Sequence, residues 1–138
     1  MNYPRLFLAA FVALIVFFAW GFLTEGWLLL GAFKPSAALY RTADLQLKYM
    51  PLGLASVFIA LLTSAAIYAV WCHDTSGALK GVQFGLLIGL FVACVHPISN
   101  LVTMKMDLKL GLLTTLTAFL GWVLVGLVIG LVYKPMTP

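Results

Sequence analysis

Four long apolar stretches, separated by short polar segments, dominate the pattern of the 138-residue chain. They cover residues 6–33, with one acid at Glu25, and residues 52–71, 82–104 and 110–133. A helix needs about 20 residues to cross the hydrocarbon core of a bilayer, and each stretch is that long. None alternates as a barrel strand does, and backbone groups in lipid must be hydrogen-bonded within the chain. We therefore predict an all-α polytopic membrane protein, a single domain of four transmembrane helices in a bundle.

The connection between the first two stretches, residues 34–50, has an amphipathic pattern. Arg41, Asp44 and Lys48 fall on one face of a helix. The opposite face consists of Leu39, Ala43, Leu47 and Met50. This arrangement predicts a helix lying in the membrane interface, although a solvated loop is the alternative. Pro51 is expected to separate this segment from the second span.

Composition agrees with a membrane protein. Hydrophobic residues make up 64% of the chain and charged residues 9%, whereas soluble domains carry about a quarter charged residues. Eight Lys and Arg against four Asp and Glu give a net charge of +4. The cations lie at or beyond the ends of the apolar stretches, where they reach lipid headgroups. The expected partner is therefore the lipid bilayer, and nucleic acid is not expected.

The even number of spans places both termini on one side of the membrane. The first and third connections carry five Lys or Arg, against three on the other side plus the terminal amine. The positive-inside rule thus favours cytoplasmic loops 1 and 3, although Arg5 before the first span favours the opposite orientation.

Small residues recur at helical spacing in the third and fourth stretches. Every fourth residue is small in the row Gly81, Gly85, Gly89 and Ala93, and the fourth stretch contains Gly126 and Gly130. Such rows let membrane helices approach closely. We predict a helix-packing face here, used either within the bundle or against another protein.

Polar residues extend the third stretch beyond this row. His96 and Asn100 lie near the same helical face, and Pro97 between them predicts a kink. Glu25 in the first stretch is expected at the same depth as His96. A carboxylate in hydrocarbon is costly, so we predict an intramembrane polar cluster of Glu25, His96 and Asn100, with Ser56, Thr114 and Thr117 near enough to join it. In the alternative, Trp20 and Trp27 anchor the first helix at the interface and Glu25 is in water.

Reactive groups are otherwise scarce. Cys72 and Cys94 are too few for a disulfide framework. His73 is expected at the boundary of the second connection and His96 deep in the third span, too far apart to ligate one haem. We find no catalytic, cofactor-binding or metal-binding pattern in the sequence.

Three segments carry a family resemblance: KGVQFG at residues 80–85, with GLF at 89–91 leading to Asn100, and GLVIGLVYKP at 126–135. Together with the short chain, four spans and a long first connection, they resemble small bacterial four-span integral membrane proteins of unknown function. The resemblance implies the bacterial cytoplasmic membrane and no particular activity.

Packing faces are abundant and reactive side chains are few. The leading interpretation is therefore a non-catalytic accessory or structural subunit that packs against other membrane-protein subunits or against itself. The alternative is a small homo-oligomeric transporter or channel that uses the Glu25, His96 and Asn100 cluster.

Overall fold

The structure, a computed structural model, describes residues 1–29, 31, 42–72, 76–103 and 107–135. Its elements in chain order are helix α1 (Tyr3–Leu23), a π-helix (Thr24–Leu28), and helices α2 (Ala43–Trp71), α3 (Ala78–Val95), α4 (Pro97–Thr103) and α5 (Leu108–Val132).

Four helical segments of the described part are long and apolar enough to span a membrane: Tyr3–Leu28, Asp44–Trp71, Ala78–Thr103 and Leu108–Val132. The outward-facing side chains are largely apolar, as Phe22 and Val102 illustrate at 76% and 82% exposed. This is the surface that lipid requires. The predicted all-α, four-span bundle is confirmed, and the described residues contain no strand.

Helices α3 and α5 run antiparallel and pack more closely than any other pair of described elements. A methyl carbon placed on Gly126 would lie 2.5 Å from the Cα atom of Gly85, and one on Gly130 would lie 2.7 Å from the Cα atom of Gly81. A methyl carbon on Gly89 would likewise lie 2.9 Å from the Phe119 carbonyl oxygen. Backbone therefore lies directly on backbone, so the small residues of both helices are used within the chain.

Helix α1 joins the bundle through a stripe of small residues. Asn2 caps its first turn by accepting a hydrogen bond from the Arg5 N–H, and Pro4 suits a position whose N–H has no helical partner. Ala9, Ala10 and Ala13 are fully buried in the core. That core also contains the largest fully buried side chains of the other helices, Leu61, Tyr68, Val125, Ile129 and Tyr133.

One end of the bundle is closed by aromatic side chains. The Tyr68 ring lies 5.4 Å from the Phe84 ring and 6.2 Å from the Tyr133 ring, both edge to face. The Tyr68 hydroxyl also accepts a hydrogen bond from the Gly77 N–H at 3.4 Å. The start of α1 and the end of α2 meet α3 and α5 here, and we call this the closed end.

At the opposite end, which we call the open end, α2 leaves the bundle. Every described side chain from residue 44 to residue 56 is exposed, whereas Leu61, Ser64 and Ala65 are buried. The apolar stripe of α2 nevertheless continues outward through Leu54 and Met50, which are 41% and 50% exposed.

The expected break at Pro51 is wrong, because α2 is continuous from Ala43 to Trp71 with Pro51 inside it. Residues 43–50 of the expected interfacial segment are therefore part of the second spanning helix, and residues 34–41 lie outside the described residues. Proline removes one backbone donor and crowds the preceding turn. Membrane helices tolerate this where the freed carbonyl finds another partner.

The third span is interrupted at the place where the kink was expected. Helix α3 ends at Val95, His96 forms a turn, and α4 begins at Pro97. The short helix α4 packs on the start of α5, where Leu101 fills the space beside Gly111.

Candidate functional site: a cavity at the open end of the bundle

A cavity of about 280 Å³ lies between α1 with its π-helix, the end of α3, and α5. Helix α2 contributes no residue to its lining. The cavity continues the bundle core toward the open end, at the level where α2 has moved away. Its walls are formed by Phe17, Trp20, Gly21, Thr24, Glu25, Val92, His96, Pro97, Thr117, Ala118, Gly121 and Trp122.

Glu25 lies in the π-helix and lines this cavity. The Leu29 N–H donates to the Thr24 carbonyl at 2.8 Å, five residues back, which closes the wider turn. Thr24 points into the protein, being only 3% exposed, and its hydroxyl donates to the Trp20 carbonyl at 2.8 Å. Short π-helical turns are rare and frequently occur at functional sites.

The turn between α3 and α4 delivers His96. The His96 N–H still donates to the Val92 carbonyl at 3.0 Å, and the His96 carbonyl accepts from the Asn100 N–H at 2.9 Å. The Asn100 side-chain amide lies 3.4 Å from His96 Nδ1. With the amide nitrogen donating, Nδ1 is the acceptor and the neutral ring carries its proton on Nε2.

Glu25 and His96 thus come from separate helices and line the same cavity. Among the described residues, no hydrogen bond or ion pair joins them, and both side chains are exposed. Asn100 does not line the cavity but contacts the imidazole of His96. Of the other expected members, Thr117 lines the cavity, whereas the Ser56 and Thr114 hydroxyls donate to the Gly53 and Gly111 carbonyls outside it.

Trp20 forms part of the cavity wall, a position that the sequence pattern did not predict; in the alternative interpretation, Trp20 was only an interfacial anchor. The Trp20 indole N–H donates to the Thr117 carbonyl at 2.9 Å. Gly121 provides the room, because a methyl carbon there would lie 2.8 Å from Trp20 Cδ1. Trp27, in contrast, is 70% exposed.

Phe17 and Trp122 complete the aromatic lining, with ring centroids 6.1 Å apart and an edge-to-face arrangement. The sequence did contain a signal for the α1 wall. Phe17, Trp20 and Thr24 continue the buried Ala10 and Ala13 stripe at intervals of three and four residues, which places them on the inner face of α1.

The ionisable groups of the described lining are one carboxyl group and one imidazole, among aromatic, apolar and threonine side chains. No group of three or more His, Cys, Asp or Glu among the described residues is arranged to hold a metal ion. Such a cavity suits the binding of a small molecule through a few polar groups.

No family model matches the chain, and no curated protein or solved structure is significantly similar to it.

Proposed function

We propose that this protein is a small membrane carrier that binds its solute in the cavity lined by Glu25 and His96. The observation that carries this proposal is that these two ionisable side chains, from the π-helix after α1 and from the turn after α3, line one cavity of a membrane-spanning bundle. Ionisable residues are expensive inside a membrane protein, so their presence there is a functional hypothesis by default.

The packing supports a carrier rather than a permanently open channel. Beyond the cavity, the axis of the bundle is filled by fully buried side chains, among them Leu61, Tyr68 and Tyr133. The closed end therefore blocks a solute in the cavity, and crossing requires that end to rearrange. The protein would act as a single chain or as a homo-oligomer.

The resemblance to small bacterial four-span membrane proteins suggests the type of membrane. The charge pattern of the loops suggests the orientation of the protein in it. We propose the bacterial cytoplasmic membrane, with the first and third connections, whose sequences contain five Lys and Arg, and with them the open end, on the cytoplasmic side.

Solute entry into proteoliposomes tests the proposal. Vesicles containing the protein are placed in a panel of small cationic, neutral and anionic solutes, and entry of each solute is followed by osmotic swelling. We expect saturable entry of at least one solute above protein-free vesicles. The proposal would be overturned if no solute in the panel entered faster than into protein-free vesicles.

A matched pair of variants links the flux to the cavity. Glu25→Gln removes the cavity carboxyl group, whereas Asp44→Asn removes an exposed carboxyl group at the start of α2. Flux should fall in Glu25→Gln and persist in Asp44→Asn. Equal flux in the two variants would separate transport from the cavity and contradict the proposal.

A second candidate function is the accessory or structural subunit of a membrane complex. The exposed stretch of α2, residues 44–56, favours it, because none of these side chains is buried by the rest of the chain. The glycine faces of α3 and α5 could also have packed against another protein, but they pack against each other within the chain. Stoichiometric co-purification with a larger membrane protein in mild detergent would support this candidate, and a clean homo-oligomer would weaken it.

A further inference from the structure

We propose that the solute of this cavity is a small organic cation, an ammonium group that bears apolar substituents. This inference rests on the proposed function, because it names the chemical class of the molecule that the cavity binds.

The first argument is the charge of the lining. Among the described residues of the lining, Glu25 and His96 are the ionisable side chains, and none is Lys or Arg. The described cations of the open end, Lys48 and Lys109, are exposed and lie outside the cavity. With an imidazole as the one basic group beside it in this lining, and no fixed positive charge, the carboxylate attracts a cation and repels an anion.

The second argument is the hydrogen-bonding state of the polar walls. The Thr24 hydroxyl donates to the Trp20 carbonyl, and the Thr117 hydroxyl donates to the Thr114 carbonyl. The Trp20 indole N–H donates to the Thr117 carbonyl. Three donors are thus already used by backbone carbonyls, so these hydroxyls offer the cavity only oxygen lone pairs. The His96 ring and the Trp122 indole carry donors that these bonds do not use, so an anion or a sugar would find few donors in this lining, whereas a cation needs none.

The third argument is the aromatic lining. Phe17, Trp20 and Trp122 surround the cavity with three rings, and the faces of such rings attract cations, indole most strongly. Apolar substituents of the cation would also find favourable contact there.

The volume limits the size of the ligand. A volume of about 280 Å³ corresponds to roughly nine water molecules at about 30 Å³ each. Since each water molecule contains one non-hydrogen atom, the cavity suits a cation of roughly nine non-hydrogen atoms. Tetraethylammonium is a probe of this size, and it donates no hydrogen bond.

Tryptophan fluorescence of the purified protein in a non-ionic detergent tests the inference. The chain contains four tryptophans, and Trp27 and Trp71 lie outside the cavity lining. In a background with Trp27→Phe and Trp71→Phe, the emission comes from Trp20 and Trp122 alone. Tetraethylammonium is titrated beside 2-ethylbutanamide and 2-ethylbutanoate, a neutral and an anionic molecule of similar size.

We expect a saturable emission change with tetraethylammonium, and an affinity weakened about tenfold or more by Glu25→Gln but unchanged by Asp44→Asn. Phe17→Leu should weaken binding as well, whereas Phe22→Leu, at a side chain 76% exposed, should not. This second pair leaves the carboxyl group intact, so it tests the site even if Glu25→Gln unfolds.

Two results would overturn the inference. In the first, the amide or the carboxylate binds in the cavity more tightly than tetraethylammonium, which rejects the cation but leaves the proposed carrier function standing. In the second, tetraethylammonium gives no saturable change, or binds equally well to Glu25→Gln. The proposed function itself fails in the separate flux assay, when no solute of any charge enters the vesicles or when Glu25→Gln and Asp44→Asn show equal flux.

Discussion

Replacing Gly85 by alanine tests the contact that holds α3 against α5. A methyl carbon on Gly85 would lie 2.8 Å from both the Trp122 carbonyl oxygen and Val123 Cα, and 2.9 Å from the Val123 carbonyl oxygen. All three neighbours are backbone atoms, which cannot rotate away as a side chain can. The two helices must therefore move apart, and the neighbouring Gly81 and Gly126 contacts loosen with them.

The expected loss of stability follows from two opposing effects. Overpacking a well-packed interface costs about 1 to 3 kcal/mol, and contact with backbone favours the upper part of that range. Alanine has the higher helix propensity, which offsets at most about 1 kcal/mol. We therefore expect Gly85→Ala to lower the free energy of unfolding by about 2 kcal/mol.

The assay is reversible unfolding in mixed micelles with increasing dodecyl sulfate, followed by circular dichroism. Gly53→Ala is the matched control, because a methyl carbon on Gly53 of α2 would meet nothing within 4 Å. The control should be unchanged or slightly more stable. If Gly85→Ala were as stable as Gly53→Ala, the backbone contact between α3 and α5 would be refuted.

Three further predictions concern individual contacts. Trp20→Phe removes the indole donor to the Thr117 carbonyl and should lower the free energy of unfolding by about 0.5 to 1.5 kcal/mol in the same assay. Trp27→Phe, at an exposed side chain, should lower it little. Equal losses of stability in the two variants would argue against an inward-facing Trp20. Tyr68→Ala leaves a cavity in the fully buried centre of the closed end and should lower the free energy of unfolding by about 3 to 5 kcal/mol. The control is Tyr3→Ala, at a side chain 63% exposed. If Tyr68→Ala lost no more stability than this control, the packing of the closed end would be contradicted. Hydrogen exchange measured by mass spectrometry should show protected amides at residues 47–50, because α2 is helical on both sides of Pro51; rapid exchange there would show that the helix begins only after the proline.

Much of the fold followed from the length of the apolar stretches, because a bilayer fixes how many residues a helix needs. The length of the apolar stretches does not predict whether a helix continues through a proline. Pro97 and Pro51 remove the same backbone donor, yet the helix is interrupted beside Pro97 and continues through Pro51. Beyond Pro97, the short helix α4 packs on α5 through Leu101 and Gly111, a tertiary contact that sequence pattern does not reveal.

The site was accessible to sequence reasoning only in part. Counting residues along two parallel helices, the first and third spans, placed Glu25 and His96 at similar depth, and the structure shows both in one cavity. Counting did not reveal the aromatic walls. Trp20 occurs near the end of a span, where tryptophan commonly anchors a helix in the interface, and its inward position depends on the space that Gly121 provides in another helix.

Cross-linking between Glu25 and His96 tests most directly whether the two side chains share one cavity. In a background with Cys72→Ala and Cys94→Ala, the pair Glu25→Cys and His96→Cys is treated in membranes with a short bifunctional thiol reagent. The matched control combines Glu25→Cys with Leu79→Cys at the closed-end start of α3. We predict rapid cross-linking of the first pair within single chains and none of the control. If both pairs reacted equally, or neither reacted, the shared cavity would be contradicted.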